Sequence, residues 1–287
     1  MQLKTLKSPT ILLVLGLAAA NLALALVFLS KPDGKLHLKV LDIGQGDSIL
    51  IRTPAGFKVL VDGGPDSTVI KRLSNSLAPW DRKIDFVILT HPQADHLTGL
   101  IEVIKRYQVG SVLISGVTNS TATFAEWEIN LKKKHLEPKI VKAGDKLIFP
   151  DQTQINFIWP EVDHPVAADL NATGVVFKLN YGSFSALLTG DADQQVQPYT
   201  GSIEPIDVLK VPHHGSKTAL LADFAQKLHP KVAIISVGAK NRYGHPRPET
   251  LTLLENIGSK ILRTDQNGTV EVVADGKSWY TKAEKGD

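Results

Sequence analysis

Cysteine is absent from all 287 residues, which removes disulfides, thiolate metal sites and cysteine nucleophiles at once. A metal ion would have to be held by imidazole nitrogen, carboxylate or amide oxygen. An excess of charge of one sign is lacking too. Once Lys4, Lys7 and Lys31, which flank an apolar N-terminal stretch, are set aside from the 32 basic residues, 29 remain against 29 acidic ones. A near-neutral domain has no global attraction for phosphate, so nucleic-acid binding would rest on a local patch. Aromatic residues are scarce at 6%, and no stacking platform for bases stands out. The chain is long enough to bury a core without covalent staples.

What is present begins with residues 11–29, a stretch without charge in which Asn21 alone is strongly polar. It approaches the ~20 residues that span a bilayer as a helix. By the positive-inside rule, Lys4 and Lys7 keep the N-terminus in the cytoplasm and send everything after Lys31 across the membrane. The expectation is a single-pass anchor over 1–31, a linker over 32–35 and one extracytoplasmic domain over 36–287. A cleaved signal, giving a secreted protein, competes with this, although the Leu-Val-Phe-Leu-Ser before Lys31 lacks a small-x-small cleavage pattern. A buried core helix is the third reading.

Beyond the linker, β-branched runs at 36–43, 48–52 and 58–61 predict an opening antiparallel meander. A strand at 86–89, a helix near 97–107, a strand at 111–114 and a helix at 123–134 follow. The second half repeats the style, with strands at 154–159, 175–180, 185–188, 208–211, 232–237 and 259–263 and helices at 219–228 and 249–256. A meander followed by alternation, twice over, predicts a mixed α/β domain with two sheets face to face and helices outside.

Ligand-type residues gather where strands end. Thr90-His91-Pro92-Gln93-Ala94-Asp95-His96 follows the strand at 85–89, and a loop there can turn His91, Asp95 and His96 toward one divalent ion. Thr189-Gly190-Asp191 ends another strand, with Gly190 permitting a tight turn and Asp191 the candidate ligand. Val211-Pro212-His213-His214-Gly215-Ser216-Lys217 ends a third. One of His213 and His214 could ligate while the other acts as general acid or contacts substrate. His245, in Asn241-Arg242-Tyr243-Gly244-His245-Pro246, is a substrate-facing or supporting candidate, or a structural turn histidine. Asp62 in Val61-Asp62-Gly63-Gly64 favours a buried hydrogen-bonded role. Asp47 or Gln45, in Asp-Ile-Gly-Gln-Gly-Asp, could buttress the metal loops, and ordinary turn chemistry serves equally for all three.

Together these residues resemble the metallo-β-lactamase superfamily, whose motif is His-x-His-x-Asp-His and whose fold is a four-layer αββα sandwich. Leu-Asp-Ile-Gly-Gln-Gly-Asp, Thr-His-Pro-Gln-Ala-Asp-His, Thr-Gly-Asp, Val-Pro-His-His-Gly-Ser-Lys and Arg-Tyr-Gly-His-Pro are similar to the C-terminal hydrolase domain of ComEC-type competence (DNA uptake) proteins. The resemblance implies one or two divalent ions, His91 at a first site, Asp95 and His96 at a second, Asp191 bridging them and His213 or His214 completing the second. Asp95, His214 and His245 become the catalytic candidates, with water as nucleophile. Two departures stand out. Gln93 replaces the motif's second histidine, and Asn171-Ala172-Thr173 occupies the stretch where a later histidine is expected. With Gln93, Asn171, Asp62 and Asp47 as weak or supporting ligands, a harder ion such as manganese is favoured over zinc. One predicted span also cannot form the multi-helix channel of that type, so a channel would be a separate partner.

The expected function is an extracytoplasmic metal-dependent phosphodiesterase or nuclease acting on DNA, with Lys217 and Arg242, and less directly Lys210, Lys240 and Arg247, holding phosphates. Hydrolysis of small esters, lactones or cell-wall phosphodiesters is one alternative. A non-catalytic metal-stabilised binding module is the other.

Overall fold

The computed structural model describes residues 9–29, 31–161, 169–201 and 204–286, without the side chains of 23–25 and 27–29. The chain divides into two units, residues up to Asp33 and Gly34–Asp287. The first consists of helix α1 (Pro9–Leu29), whose side chains from Pro9 to Leu22 are exposed. Among the described residues no helix is long and apolar enough to cross a membrane. The expected span falls in part on side chains outside the described residues, so membrane insertion gains no support from the structure.

In the second unit the strands are β1 (Leu36–Val40), β2 (Ile49–Arg52), β3 (Lys58–Val61), β4 (Lys83–Leu89), β5 (Gln108–Ile114), β6 (Pro138–Ile140), β7 (Lys146–Ile148) and β8 (Gln154–Trp159). They continue with β9 (Val176–Tyr181), β10 (Phe184–Leu188), β11 (Val208–Lys210), β12 (Val232–Ile235), β13 (Lys260–Arg263), β14 (Val270–Ala274) and β15 (Trp279–Ala283). Helices α2 (Thr68–Ser76), α3 (Ala94–Arg106), α4 (Ala122–Lys133), α5 (Ala222–Leu228), α6 (Pro248–Asn256) and the short α7 (Thr264–Asn267) complete it.

One sheet runs β15-β14-β1-β2-β3-β4-β5-β6 and the other β13-β12-β11-β10-β9-β8-β7. Each begins antiparallel and turns parallel, at β3/β4 in the first and at β10/β11 in the second. The period of two explains the layering. Leu36, Leu38 and Val40 on β1, Phe157 on β8, Phe177 on β9 and Val208 on β11 meet in an apolar layer between the sheets. Residues of opposite parity, such as Leu60 and Val87, pack against α2, α3 and α4. On the far side Leu209, Ala233 and Ile235 pack with Leu228 of α5 and Leu254 of α6. Three apolar layers between four layers of secondary structure make the expected αββα sandwich.

Three departures from the expected elements have physical causes. The hairpin β14–β15 returns to the first sheet and pairs β14 with β1 from Leu36↔Ala274 to Val40↔Val270, a long-range pairing that local pattern does not disclose. Helix α2 buries only Val69 and Leu73, too few apolar positions for a clear period. Strands β6 and β7 are three-residue edges, exposed almost throughout.

Candidate metal centre

The site lies where parallel strands of both sheets end. The chain leaves β4 into Thr90 and His91, and α3 begins two residues after Pro92, with Gln93 at its N-cap. The Gln93 carbonyl accepts the amides of His96 (3.1 Å) and Leu97 (2.9 Å), which puts Asp95 and His96 in the first turn. Glycine sets the approach of this helix. Gly63 N–H donates to the His96 carbonyl at 2.7 Å, Gly99 N–H to the Gly64 carbonyl at 3.0 Å, and a Cβ on Gly99 would overlap the Gly63 carbonyl. Beyond β10, Gly190 at φ 51° turns the chain so that Asp191 faces inward. Beyond β11, His213 and His214 both take positive φ (46° and 53°), and their rings diverge at 74°.

Ligand atoms of Asp95, His96, Asp191 and His214 lie within 4.8 Å of one another. Asp191 Oδ2 stands 3.3 Å from His96 Nε2 and 3.4 Å from His214 Nε2, and Asp95 Oδ2 is 3.5 Å from His214 Nε2. The His91 ring packs on His96, centroids 4.1 Å apart.

Proton bookkeeping fixes how the three imidazoles are presented. Asp62 Oδ2 accepts the Thr90 hydroxyl at 2.7 Å and His96 Nδ1–H at 2.7 Å, while Oδ1 accepts the Thr90 amide at 2.8 Å. With its one proton given to Asp62, the Thr90 oxygen can only accept from His91 Nδ1–H, at 3.0 Å. His214 Nδ1–H donates to the Ser236 carbonyl at 2.9 Å. All three rings therefore leave Nε2 without the proton, and those of His96 and His214 face Asp191. His91 Nε2, His96 Nε2, His214 Nε2 and Asp191 Oδ1 are buried without a hydrogen-bond partner. An orphaned buried polar atom costs roughly 1–3 kcal/mol, so the clustered His96, His214 and Asp191 suit a cation that takes their lone pairs. The donor set fits a divalent metal ion.

Charge coupling supports this arrangement. Burial disfavours the imidazolium of His96, but the carboxylates of Asp191 and Asp62 outweigh it and raise its pKa well above 6.5. His214 is raised the same way, burial being overcome by Asp191 and Asp95. Burial, then the neighbouring His96 charge, lowers His91 to about 3. Asp95 falls to about 2, because His214, its Nε2 3.5 Å away, and the charge of His96 overcome its burial.

Of the sequence candidates, Asp95, His96, Asp191 and His214 converge and His91 packs on the His96 ring beside them, whereas His213 turns toward His245, with ring centroids 5.7 Å apart. Asp62 is fully buried and orients His96. Asp47 pairs with Lys210, whose Nζ lies 2.6 Å from Asp47 Oδ2, and its other oxygen is 3.6 Å from His214 Nδ1. This corrects the reading of Lys210 as a phosphate contact, since it is 2% exposed and points between the sheets. Gln93 serves through its backbone carbonyl. Asn171 sits in a turn beside His91 with a buried, unpartnered Oδ1: a Cβ on Gly174 would lie 3.2 Å from the Asn171 carbonyl and 3.9 Å from the His91 ring. Lys217 and Arg242 are exposed. Sequence reasoning missed Thr90 and Ser236. Thr90 was visible as a hydroxyl adjoining His91, whereas Ser236 acts through a carbonyl that any residue could supply.

Residues 41–239 match the family model described as the metallo-beta-lactamase superfamily. The chain is 33% identical over 261 residues to ComE operon protein 3 of Bacillus subtilis, covering 82% of this chain and 32% of the relative. It is 27% identical over 246 residues to competence protein ComA of Neisseria gonorrhoeae, covering 84% and 32%. The chain thus spans about a third of the length of these relatives. Among solved structures, the metallo-beta-lactamase fold protein YhfI from Bacillus subtilis superposes with a TM-score of 0.50 at 15% identity, covering 79% of this chain and 95% of that one. The diiron β-hydroxylase CmlA from Streptomyces venezuelae gives 0.52 at 16%, covering 81% and 53%. At such identities these two share the fold alone.

Proposed function

Because the chain belongs to the metallo-β-lactamase superfamily, we propose that it is a metal-dependent hydrolase of phosphodiesters, with DNA as substrate. The observation that carries the chemistry is the convergence of Asp95, His96, Asp191 and His214, whose ligand atoms lie within 4.8 Å of one another, with the Nε2 atoms of His96 and His214 buried and unpartnered. A divalent ion there, manganese or zinc, would supply a water-derived nucleophile at neutral pH and stabilise charge developing on phosphoryl oxygen. Asp95, His96, Asp191 and His214 would hold it, with His91 and Asn171 flanking. The rest belongs to the chain's own groups. Asp62 and the Ser236 carbonyl hold the Nδ1 protons of His96 and His214, which fixes the rings. Asp95, part-exposed, faces the opening. His245, its pKa lowered to about 4 by burial and then by His213 and His214, is neutral at pH 7 and can hand a proton to a leaving oxygen only after taking one up.

DNA rather than another diester is favoured by the competence relatives and by the exposed Lys217, Lys240, Arg242 and Arg247 on the two loops beside the cluster. We place the domain outside the cytoplasm on an N-terminal anchor, supported by the uncharged run 11–29 and the lysines before it. Alkaline extraction of membranes and protease digestion of intact cells test the location. Retention with the membrane and digestion from outside are expected, and release by alkali overturns the anchor. For the activity, the metal-stripped chain is reloaded with manganese or zinc and offered single- and double-stranded DNA, a chromogenic phosphodiester and a lactone. DNA cleavage that Asp191→Asn abolishes is expected. Turnover of the lactone alone would replace the reading with a small-ester hydrolase, and metal binding without any turnover would leave a binding module.

A further inference from the structure

One wall of the centre is built from two loops joined into a unit. Arg247 N–H donates to the Gly215 carbonyl at 2.8 Å, and Thr250 Oγ1 donates to the Ser216 carbonyl at 2.6 Å. Within this wall Asn241 clamps the second loop shut. Its Nδ2 donates to the carbonyls of Gly238 (2.8 Å) and His245 (2.7 Å), and its Oδ1 accepts the His245 amide at 2.9 Å. Three side-chain hydrogen bonds from one asparagine leave Arg242, Tyr243 and Gly244 as a fixed protruding tip, with Gly244 at φ 69°. On that tip Tyr243 is a large aromatic residue left 44% exposed.

From the tip inward the rings form a continuous series. Tyr243 lies at 24° to His245 with centroids 5.7 Å apart, and His245 meets His213 at 5.7 Å. His213 adjoins His214 at 6.2 Å, and His214 stacks toward His96 at 5.6 Å. On the solvent side the Arg242 guanidinium stands 5.2 Å from the Tyr243 ring centre and donates to its hydroxyl at 3.2 Å. Arg242 is exposed, so swinging it off the ring costs little, and the freed guanidinium can take a phosphate. An exposed aromatic ring whose outer face is covered only by an exposed guanidinium, on a loop beside a metal-type cluster, supplies the stacking surface and the cation that bind a single nucleic-acid strand.

We propose that Tyr243 is a nucleobase platform: a base of the bound strand stacks on its ring while Arg242 takes the adjoining phosphate. This rests on the phosphodiesterase reading and narrows it to single-stranded nucleic acid held by its bases. The electrostatic part is blind to the bases and the stacking part requires them, and that difference makes the two separable.

The test is fluorescence anisotropy of the metal-stripped full chain, kept in mild detergent, with two labelled strands of equal length: an oligothymidylate and a fully abasic strand. Tyr243→Ala is expected to weaken binding of the oligothymidylate about 10-fold, the scale of one lost base stack, and to leave the abasic strand unchanged. Tyr243→Phe retains binding. Tyr243→Leu, which keeps bulk without a π face, behaves as the alanine variant and serves if the latter fails to fold. Arg242→Ala weakens both strands alike and lowers the salt dependence by about one phosphate contact. Equal loss on both strands with Tyr243→Ala, or none on either, overturns the platform while leaving the phosphodiesterase reading intact. Wild-type protein that binds neither strand and cleaves no DNA would instead remove that underlying reading.

Discussion

At the scale of single residues, the centre depends on groups that never touch a ligand. Asp62 accepts three hydrogen bonds on its two oxygens and fixes the His96 ring, so Asp62→Asn, with one acceptor oxygen and an NH2 in place of the other, cannot satisfy both Thr90 N–H and His96 Nδ1–H and should loosen that ring. The expected outcome is a loss of about 10- to 100-fold in metal affinity with the fold retained, measured by calorimetric titration. Lys210 makes the complementary case. It shares the inward face of β11 with Val208, and its charge is balanced by Asp47. Lys210→Met leaves Asp47 buried and uncompensated and should cost about 3–5 kcal/mol, whereas adding Asp47→Asn removes both charges and should restore most of it. Thermal unfolding of the three proteins checks this, and a single variant as stable as wild type would show that the pair is not coupled.

At the scale of elements, the close passage of α3 over the turn after β3 decides where Asp95 and His96 stand. Gly99→Ala brings a methyl group against the Gly63 carbonyl, so the helix must shift. Overpacking of this kind costs about 1–3 kcal/mol, and the shift moves two ligand side chains, so lower melting temperature and lower metal content should appear together. Melting loss with full metal content would mean that the helix relaxes without displacing its first turn. The same scale explains what the sequence disclosed. His91, Asp95, His96 and Asp191 were legible because donors of unlike type gather just past apolar strands, where a parallel sheet presents its loops. His214 was separable from His213 only in three dimensions, since the choice rests on two successive positive-φ residues. Lys210 was misread because it adjoins the histidine loop in sequence. The strand parity that buries it shows only once β11 is paired between β10 and β12. The C-terminal hairpin escaped because its partner, β1, lies more than two hundred residues away.

At the scale of the whole molecule, the centre links folding, metal and protons. Without a cation, His96 and His214 hold protons against Asp191, and their folded pKa values stand above the unfolded 6.5. A raised pKa means that the folded state binds more protons above that value. Their contribution to stability is therefore complete below 6.5 and is lost as pH rises through the folded values. His91 acts in the opposite sense. Lowered to about 3, it refuses a proton that the unfolded chain accepts, so its contribution is present above 6.5 and is lost as pH falls toward 3. A divalent ion must displace the protons on His96 and His214 but none from His91. Metal affinity should accordingly rise with pH until the raised values of His96 and His214 are passed, with one to two protons released per ion, and level off above them. Calorimetry in buffers of different ionisation enthalpy measures that release directly. Thermal unfolding adds a second readout: the metal-free protein should lose stability as pH rises from 6.5 through the raised pKa values, while the gap between loaded and metal-free protein widens. A metal affinity independent of pH would mean that the rings are already neutral before binding, and that the paired carboxylates do not hold the site closed with protons.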